Sequence, residues 1–337
     1  MKTVVLKEPR KIEIEEREMP SAGERELRIR VRAVAVGASE QRAFYGNNPS
    51  VRYPFVMGRS FAGEVVAMGT QVADFRLGDR VVVDPVLSCG HCGLCRSGHN
   101  NVCETLQVMG IHRDGGMAEY VSVPAGNAYA VPRDWSWERI AMVEPFSVVA
   151  QILSRTGCTG EDRGLVIGAG SMGLCVLLGA KHCGASVAVV DVLDSRLEAA
   201  RELGADFVFN MNEEKFEQKV LDWTEGRGVS LCIDLVGLPD FFPALQRLAA
   251  PLGRIAPLGF SDNPIALIPL ELTKKELTIF GSRLNRGKFS KTIEAFTTGH
   301  LQPERLVSHT FLFTEAGEAF KLIEESPVNT RRVLLRF

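Results

Sequence analysis

Residues 163–191 constrain the fold more than any other stretch. They read Arg-Gly-Leu-Val-Ile-Gly-Ala-Gly-Ser-Met-Gly, then an apolar helical pattern through Lys181, then Ser-Val-Ala-Val-Val-Asp ending at Asp191. A buried strand therefore runs into Gly168-x-Gly170-x-x-Gly173, which opens a helix, and a second buried strand ends on an acid. The glycines permit a tight turn, close approach of the backbone to a pyrophosphate and close helix–strand packing, while the helix N-terminus attracts phosphate. Ser171 and Met172 lie in that first turn. Asp191 stands where a carboxylate accepts hydrogen bonds from the adenosine ribose hydroxyls, and Arg196 beyond it is a further expected cofactor-binding residue. Such an acid repels a 2′-phosphate, so the pattern favours NAD over NADP.

Strands and helices alternate from about residue 164: strands over 165–168, 186–191, 206–209, 229–235, 254–259 and 277–282, and helices over 172–183, 194–203, 213–224 and 240–250. This predicts a doubly wound parallel sheet with right-handed crossovers. Gly237 and Leu258 then follow the fourth and fifth strands at their carboxyl ends, where a nicotinamide ring would rest. Residues 1 to about 150 differ. Short alternating runs such as 27–36, 61–68 and 80–83, separated by Gly, Pro and Asp, predict a β-rich domain. A tail with a helix over 288–298, a strand over 307–313, a helix over 315–325 and a strand over 332–337 has no half-sheet left to complete, so it returns to the first domain. The expected α/β organisation is 1–150 with 286–337 as one domain and 151–285 as the other.

Composition narrows the partners. With 337 residues, 45% of them hydrophobic, the chain can bury a large core, and its formal net charge of −2 creates no field for nucleic acid or anionic lipid. A small-molecule substrate is expected. No apolar run suits a signal peptide or a membrane span, so a cytoplasmic location is expected.

Eight cysteines are present. Cys89, Cys92, Cys95 and Cys103 share one glycine-rich loop, within a lobe of about 86–105, and can close a tetrahedron around a structural zinc with no open position. Free or redox-active thiols and an iron–sulfur cluster are the alternatives, and the single tight loop favours zinc. His91 and His99, between the thiols, read as exposed loop residues. The other four, Cys158, Cys175, Cys183 and Cys232, lie in apolar contexts and read as buried thiols.

Together these features resemble the zinc-containing medium-chain alcohol and polyol dehydrogenases over essentially the whole chain. The sorbitol, threonine and L-galactonate dehydrogenase branch is most similar, on the segments 84–92 (Asp-Pro-Val-Leu-Ser-Cys-Gly-His-Cys), 109–120, 143–146 (Val-Glu-Pro-Phe) and 281–289. The resemblance implies a GroES-like first domain, a homodimer or homotetramer in which the strand at 277–280 pairs across an axis, and a second, catalytic zinc. The family holds that zinc with a Cys from Gly-Ile-Cys-Gly-Ser-Asp, the His and Glu of Gly-His-Glu, and the Glu of Glu-Pro-Phe. Here the matching positions are Gly37, Arg59, Ser60 and Glu144. One carboxylate does not hold zinc, and a guanidinium repels a cation, so no catalytic zinc is expected.

Something else must then stabilise the substrate oxygen. One reading makes Arg59 the electrophile, oriented by Glu40 and Glu144, with Ser39 relaying a proton and Glu144 or His112 as base. The other makes Arg59, Glu40 and Glu144 a buried ion-pair cluster filling the vacated hole. Arg283, read as ending the last strand, matches the family's cofactor- and substrate-facing arginine, with Asn285 beside it. Arg42, Arg59 and Arg283 together would suit a carboxylate-bearing substrate. A metal-free enone or quinone reductase and a silent NAD-binding sensor are the competing functions.

Overall fold

The computed structural model describes residues 1–326, 328 and 330–337. These divide into two compact units, residues 1–148 with 284–337, and residues 149–283.

In the first unit, the long strand Glu26–Val36 pairs with Ser60–Met68, Tyr120–Pro124 and the C-terminal strand Arg332–Arg336. Burial alternates along its first half (Leu27, Ile29 and Val31 inward) and becomes continuous from Ala33 to Val36, where both faces are covered. The tail therefore does return: Val307–Leu312 pairs in parallel with Arg332–Arg336, which joins the same sheet. One register position matters later. Val333 pairs antiparallel with Val36, so Arg332 stands across from Gly37. The helix Phe289–Thr297 buries Phe289, Thr292 and Phe296, spaced for one helical face, and Phe296 meets Phe146 edge-on at 5.2 Å.

The second unit carries six parallel strands among the described residues, in the order 3-2-1-4-5-6: Arg163–Ile167, Ser186–Asp191 and Phe207–Asn210 on one side, then Val229–Asp234, Ala249–Pro257 and Thr278–Ile279. This is the doubly wound sheet expected from the alternation. Two expectations need correction. The last strand is two residues long rather than spanning 277–282, and the helix Pro269–Lys275, opened by a proline at its first turn, precedes it. The fifth strand begins at Ala249, directly after the helix Phe242–Leu248, rather than at 254. Among the described residues, no helix is long and apolar enough to cross a membrane.

Candidate functional site

The four-cysteine loop leaves the sheet through the short ladder Val86–Leu87 with Gln107–Val108. Its Sγ atoms all lie within 4.8 Å of one another, with Cys89 and Cys95 at 3.9 Å and Cys92 and Cys103 at 4.0 Å. Thiolates about 2.3 Å from a zinc ion stand about 3.8 Å apart, so the donor set fits that ion. The backbone supports the same geometry. Cys89 N–H donates to Cys103 Sγ, Cys92 N–H to Cys89 Sγ and Cys95 N–H to Cys92 Sγ, the pattern that stabilises thiolates.

At the glycine fingerprint each position has its own steric reason. Gly168 has φ +97°, and a Cβ there would lie 2.8 Å from Val236 Cγ2. A Cβ on Gly173 would stand 1.8 Å from Gly168 O, so the helix Ser171–His182 can approach the strand only with glycine there. Gly170, by contrast, has nothing within 4 Å, which leaves room for a phosphate at the helix N-terminus. Ser171 Oγ is buried there with no partner among the described residues. Asp191 ends the second strand and is nearly buried. It accepts from Ala169 N at 2.8 Å, Val192 N at 2.8 Å and Leu193 N at 3.1 Å, with Arg196 at 3.7 Å. Gly237 (φ +74°) lies against Gly259, and Leu258 N donates to Asp234 O at 2.7 Å, so the two loops are held together at the strand ends. Met172 lies half-buried in the first helical turn. The residues fit a dinucleotide.

A charged cluster occupies the end of the long sheet in the first unit. Gly37 caps the short helix Ala38–Phe44, and Glu40 closes the cap by accepting from Gly37 N at 2.9 Å. The other Glu40 oxygen accepts from Arg59 N at 3.2 Å and faces Arg59 Nε at 3.7 Å. Ser60 Oγ donates to Glu144 Oε2 in a short bond, while buried Glu144 Oε1 has no partner among the described residues. Arg59 keeps 19% of its side chain exposed against 2% for Glu40. Burial disfavours the Arg59 charge, but the Glu144 and Glu40 carboxylates outweigh it and raise its pKa above the ordinary value. Arg332, almost fully buried, completes the cluster. A Cβ on Gly37 would stand 2.4 Å from Arg332 Nη1, so the guanidinium fills the space a longer side chain would need. A dication here would meet one carboxylate with a free oxygen and two guanidinium groups, which does not make a zinc site.

Next to Glu144 lies a second buried acid, Asp84. Its Oδ1 accepts from Val86 N at 3.0 Å and from buried Asn285 Nδ2 at 2.8 Å. Burial pushes its pKa up to about 6, with the Glu144 charge adding to the shift and the two hydrogen bonds opposing it. An unfolded aspartate titrates near pH 3.9, so the folded state holds the extra proton between about pH 4 and 6. Stability is therefore lost as pH rises through that window. Asp84→Asn is expected to remove the loss, becoming more stable than wild type by about 2–3 kcal/mol above pH 6.5 and matching it near pH 4. Urea unfolding of both proteins across pH 4–8 checks this; a gap that stays constant would show that Asp84 does not titrate as described.

The remaining expected residues are placed as follows. Ser39 is half-buried in the first turn of the Gly37-capped helix, which also carries Arg42 in its last turn. His112 is exposed, and its Nδ1 accepts from Val108 N at 3.0 Å, so the ring is turned back on its own loop. That loop still matters, because a Cβ on Gly110 would stand 3.1 Å from Arg59 Cγ. Arg283 does not end a strand: it is exposed, four residues beyond Ile279, and closes the second unit. Cys175 and Cys232 are buried, but Cys183 is exposed and Cys158 half-buried, contrary to the reading of four buried thiols. Arg332 and Asp84 went unrecognised as part of the cluster; the charge of Arg332 inside an apolar C-terminal strand was the available signal.

A six-stranded dinucleotide sheet joined to a β-rich unit with a four-thiol lobe defines a class. The alcohol dehydrogenase GroES-like domain family matches residues 23–133 and the zinc-binding dehydrogenase family residues 171–298. The chain belongs to the zinc-type alcohol dehydrogenases, medium-chain oxidoreductases. It is 38% identical to the starvation-sensing protein RspB of Escherichia coli (strain K12), covering 100% of this chain and 99% of that one. It is also 31% identical to sorbitol dehydrogenase of Bacillus subtilis (strain 168), over 95% and 93% of the two chains. Among solved structures, an E. coli CFT073 protein described as short chain alcohol dehydrogenase (rspB), complexed with NADH, superposes with a TM-score of 0.94 at 38% identity, over 100% and 99% of the chains.

Proposed function

We propose that the protein is an NAD-dependent oxidoreductase acting on a polyol, sugar acid or related carbonyl compound, with a structural zinc and no catalytic zinc. The observation that carries this reading is the charged cluster. Arg59 is held by Glu40 with its Nε buried and part of its side chain exposed, and Glu144 presents one oxygen without a partner among the described residues. In alcohol oxidation the Arg59 guanidinium donates to the substrate oxygen and stabilises the developing alkoxide. Glu144 Oε1 accepts the hydroxyl proton, while the bond from Ser60 fixes the carboxylate. Glu40 is a positioning residue, because both its oxygens are already engaged. NAD, when bound, supplies the hydride acceptor. The Asp191 carboxylate supports NAD over NADP. A carboxylate-bearing substrate would pair with Arg59 through a forked hydrogen bond.

The name of the starvation-sensing relative supports a second reading, an NAD-binding sensor without turnover. Incubation with NAD or NADH and a panel of polyols, sugar acids, enones and quinones separates the two. Oxidation of a polyol or sugar acid is expected; cofactor binding without reaction of any panel member favours the sensor. Metal analysis of the same sample should give near one zinc per chain, and two would overturn the metal assignment.

A further inference from the structure

Cys158 and Cys183 are far apart in sequence but sit at equivalent places in the fold. Cys158 follows the helix Val143–Thr156 and precedes the strand Arg163–Ile167; Cys183 caps the helix Ser171–His182 and precedes the strand Ser186–Asp191. Those two strands are parallel neighbours with Arg163 opposite Ser186. Adjacent strands run about 4.8 Å apart, so the segments that lead into them run side by side. The segments leading into them remain in contact. A Cβ on Gly160 would lie 3.5 Å from Cys183 O, and one on Gly184 would lie 3.2 Å from Gly160 Cα. The backbone on both sides is pinned: Cys158 N donates to Leu153 O at 3.0 Å, Cys183 N to Gly179 O at 3.1 Å, and Ser186 N to Asp162 O at 2.9 Å.

We propose that Cys158 and Cys183 form a peroxide-reactive dithiol, with Cys183 as the attacking thiol and Cys158 as the resolving one. Access sets the roles, since Cys183 is exposed and Cys158 half-buried. The mutual influence of the two neighbouring thiols agrees. It holds the Cys183 pKa at about 7, against burial and the nearby Asp162 charge, and raises that of Cys158. A thiol with a pKa near ambient pH combines a high thiolate fraction with good nucleophilicity. Cys183 thiolate attacks one oxygen of hydrogen peroxide, the O–O bond breaks, and the departing hydroxide takes a proton to leave as water, giving the sulfenic acid. The Cys158 sulfur then attacks the Cys183 sulfur, the S–O bond breaks, and a second water leaves as the S–S bond forms. The two thiols lose two electrons and two protons, and the peroxide is reduced to two waters. The resulting bridge encloses the strand and helix that carry the glycine fingerprint.

The test uses the zinc-loaded full chain. After stoichiometric hydrogen peroxide, free thiols are alkylated and the protein is digested with trypsin without reductant. The expected product is one cross-linked species joining residues 156–163 to residues 182–196, lighter than the two peptides by about 2 Da and split by dithiothreitol. Cys158→Ser should convert the product into a Cys183 sulfenic acid trapped by dimedone, and Cys183→Ser should abolish both. Recovery of both cysteines alkylated, while thiols of the 89–103 loop are oxidised, would overturn the proposal. So would Cys183 oxidised alone in the wild-type chain with no cross-link.

Discussion

Arg59→Ala is expected to lower kcat/KM by about 10²–10³-fold with little change in NADH affinity, the effect of removing one preorganised donor from a developing oxyanion. Most of the loss should fall on kcat, because the charge that Arg59 meets is larger in the transition state than in the bound substrate. Arg59→Lys should recover part of the rate: it keeps the charge but loses the planar fork. Alanine also leaves Glu144 and Glu40 without a cation they now face, so the variant should be less stable by about 3 kcal/mol, the scale of breaking a largely buried pair. Steady-state kinetics on the substrate found in the panel, together with urea unfolding, separates the two consequences. Wild-type turnover in Arg59→Ala would reduce the cluster to a structural ion-pair network.

A second large effect is expected at the fingerprint, where two glycines three residues apart should behave in opposite ways. Gly173→Ala places a methyl group 1.8 Å from Gly168 O, well inside any van der Waals contact, and the atom it meets is backbone that cannot rotate away. The helix must withdraw from the strand, at a cost of about 3–5 kcal/mol by analogy with severe core overpacking, and NADH binding should fall below detection. Gly170→Ala meets nothing within 4 Å among the described residues. It should leave the melting temperature nearly unchanged while still weakening NADH, since the new methyl enters the space reserved for the phosphates. Calorimetry and fluorescence titration of both variants test this. Equal loss of stability in both would contradict the steric assignment.

The contrast shows which parts of the molecule the chain announces locally. The fingerprint, the strand–helix alternation and the four-thiol loop are written in short spacings, and each was legible because its cause acts over a few residues. The cluster was half legible. Motif positions marked Gly37, Arg59, Ser60 and Glu144, yet Arg332 reaches Gly37 only through the antiparallel pairing of Val333 with Val36, which no local pattern encodes. The closeness of the segments that carry Cys158 and Cys183 is hidden for the same reason, since it depends on two strands lying side by side. His112 and Arg283 were placed by motif position, and the structure turns the first back on Val108 and leaves the second beyond its strand. The two-residue strand Thr278–Ile279 was overextended because the apolar and small residues around it carry the same signal whether or not a neighbouring strand is there to pair with.

The packing of Arg332 on Gly37 also bears on how this protein can be re-engineered. A metal-ligating side chain cannot simply be introduced at position 37, because its first carbon would collide with a buried guanidinium. Exchanges at 37, 59 and 60 would install three ligands around Glu144 while Arg332 stayed in their midst, and removing Arg332 first would strip a buried charge from the cluster. Arg332 therefore ties position 37 to the C-terminal strand, and exchanges at 37, 59, 60 and 332 are expected to be strongly non-additive.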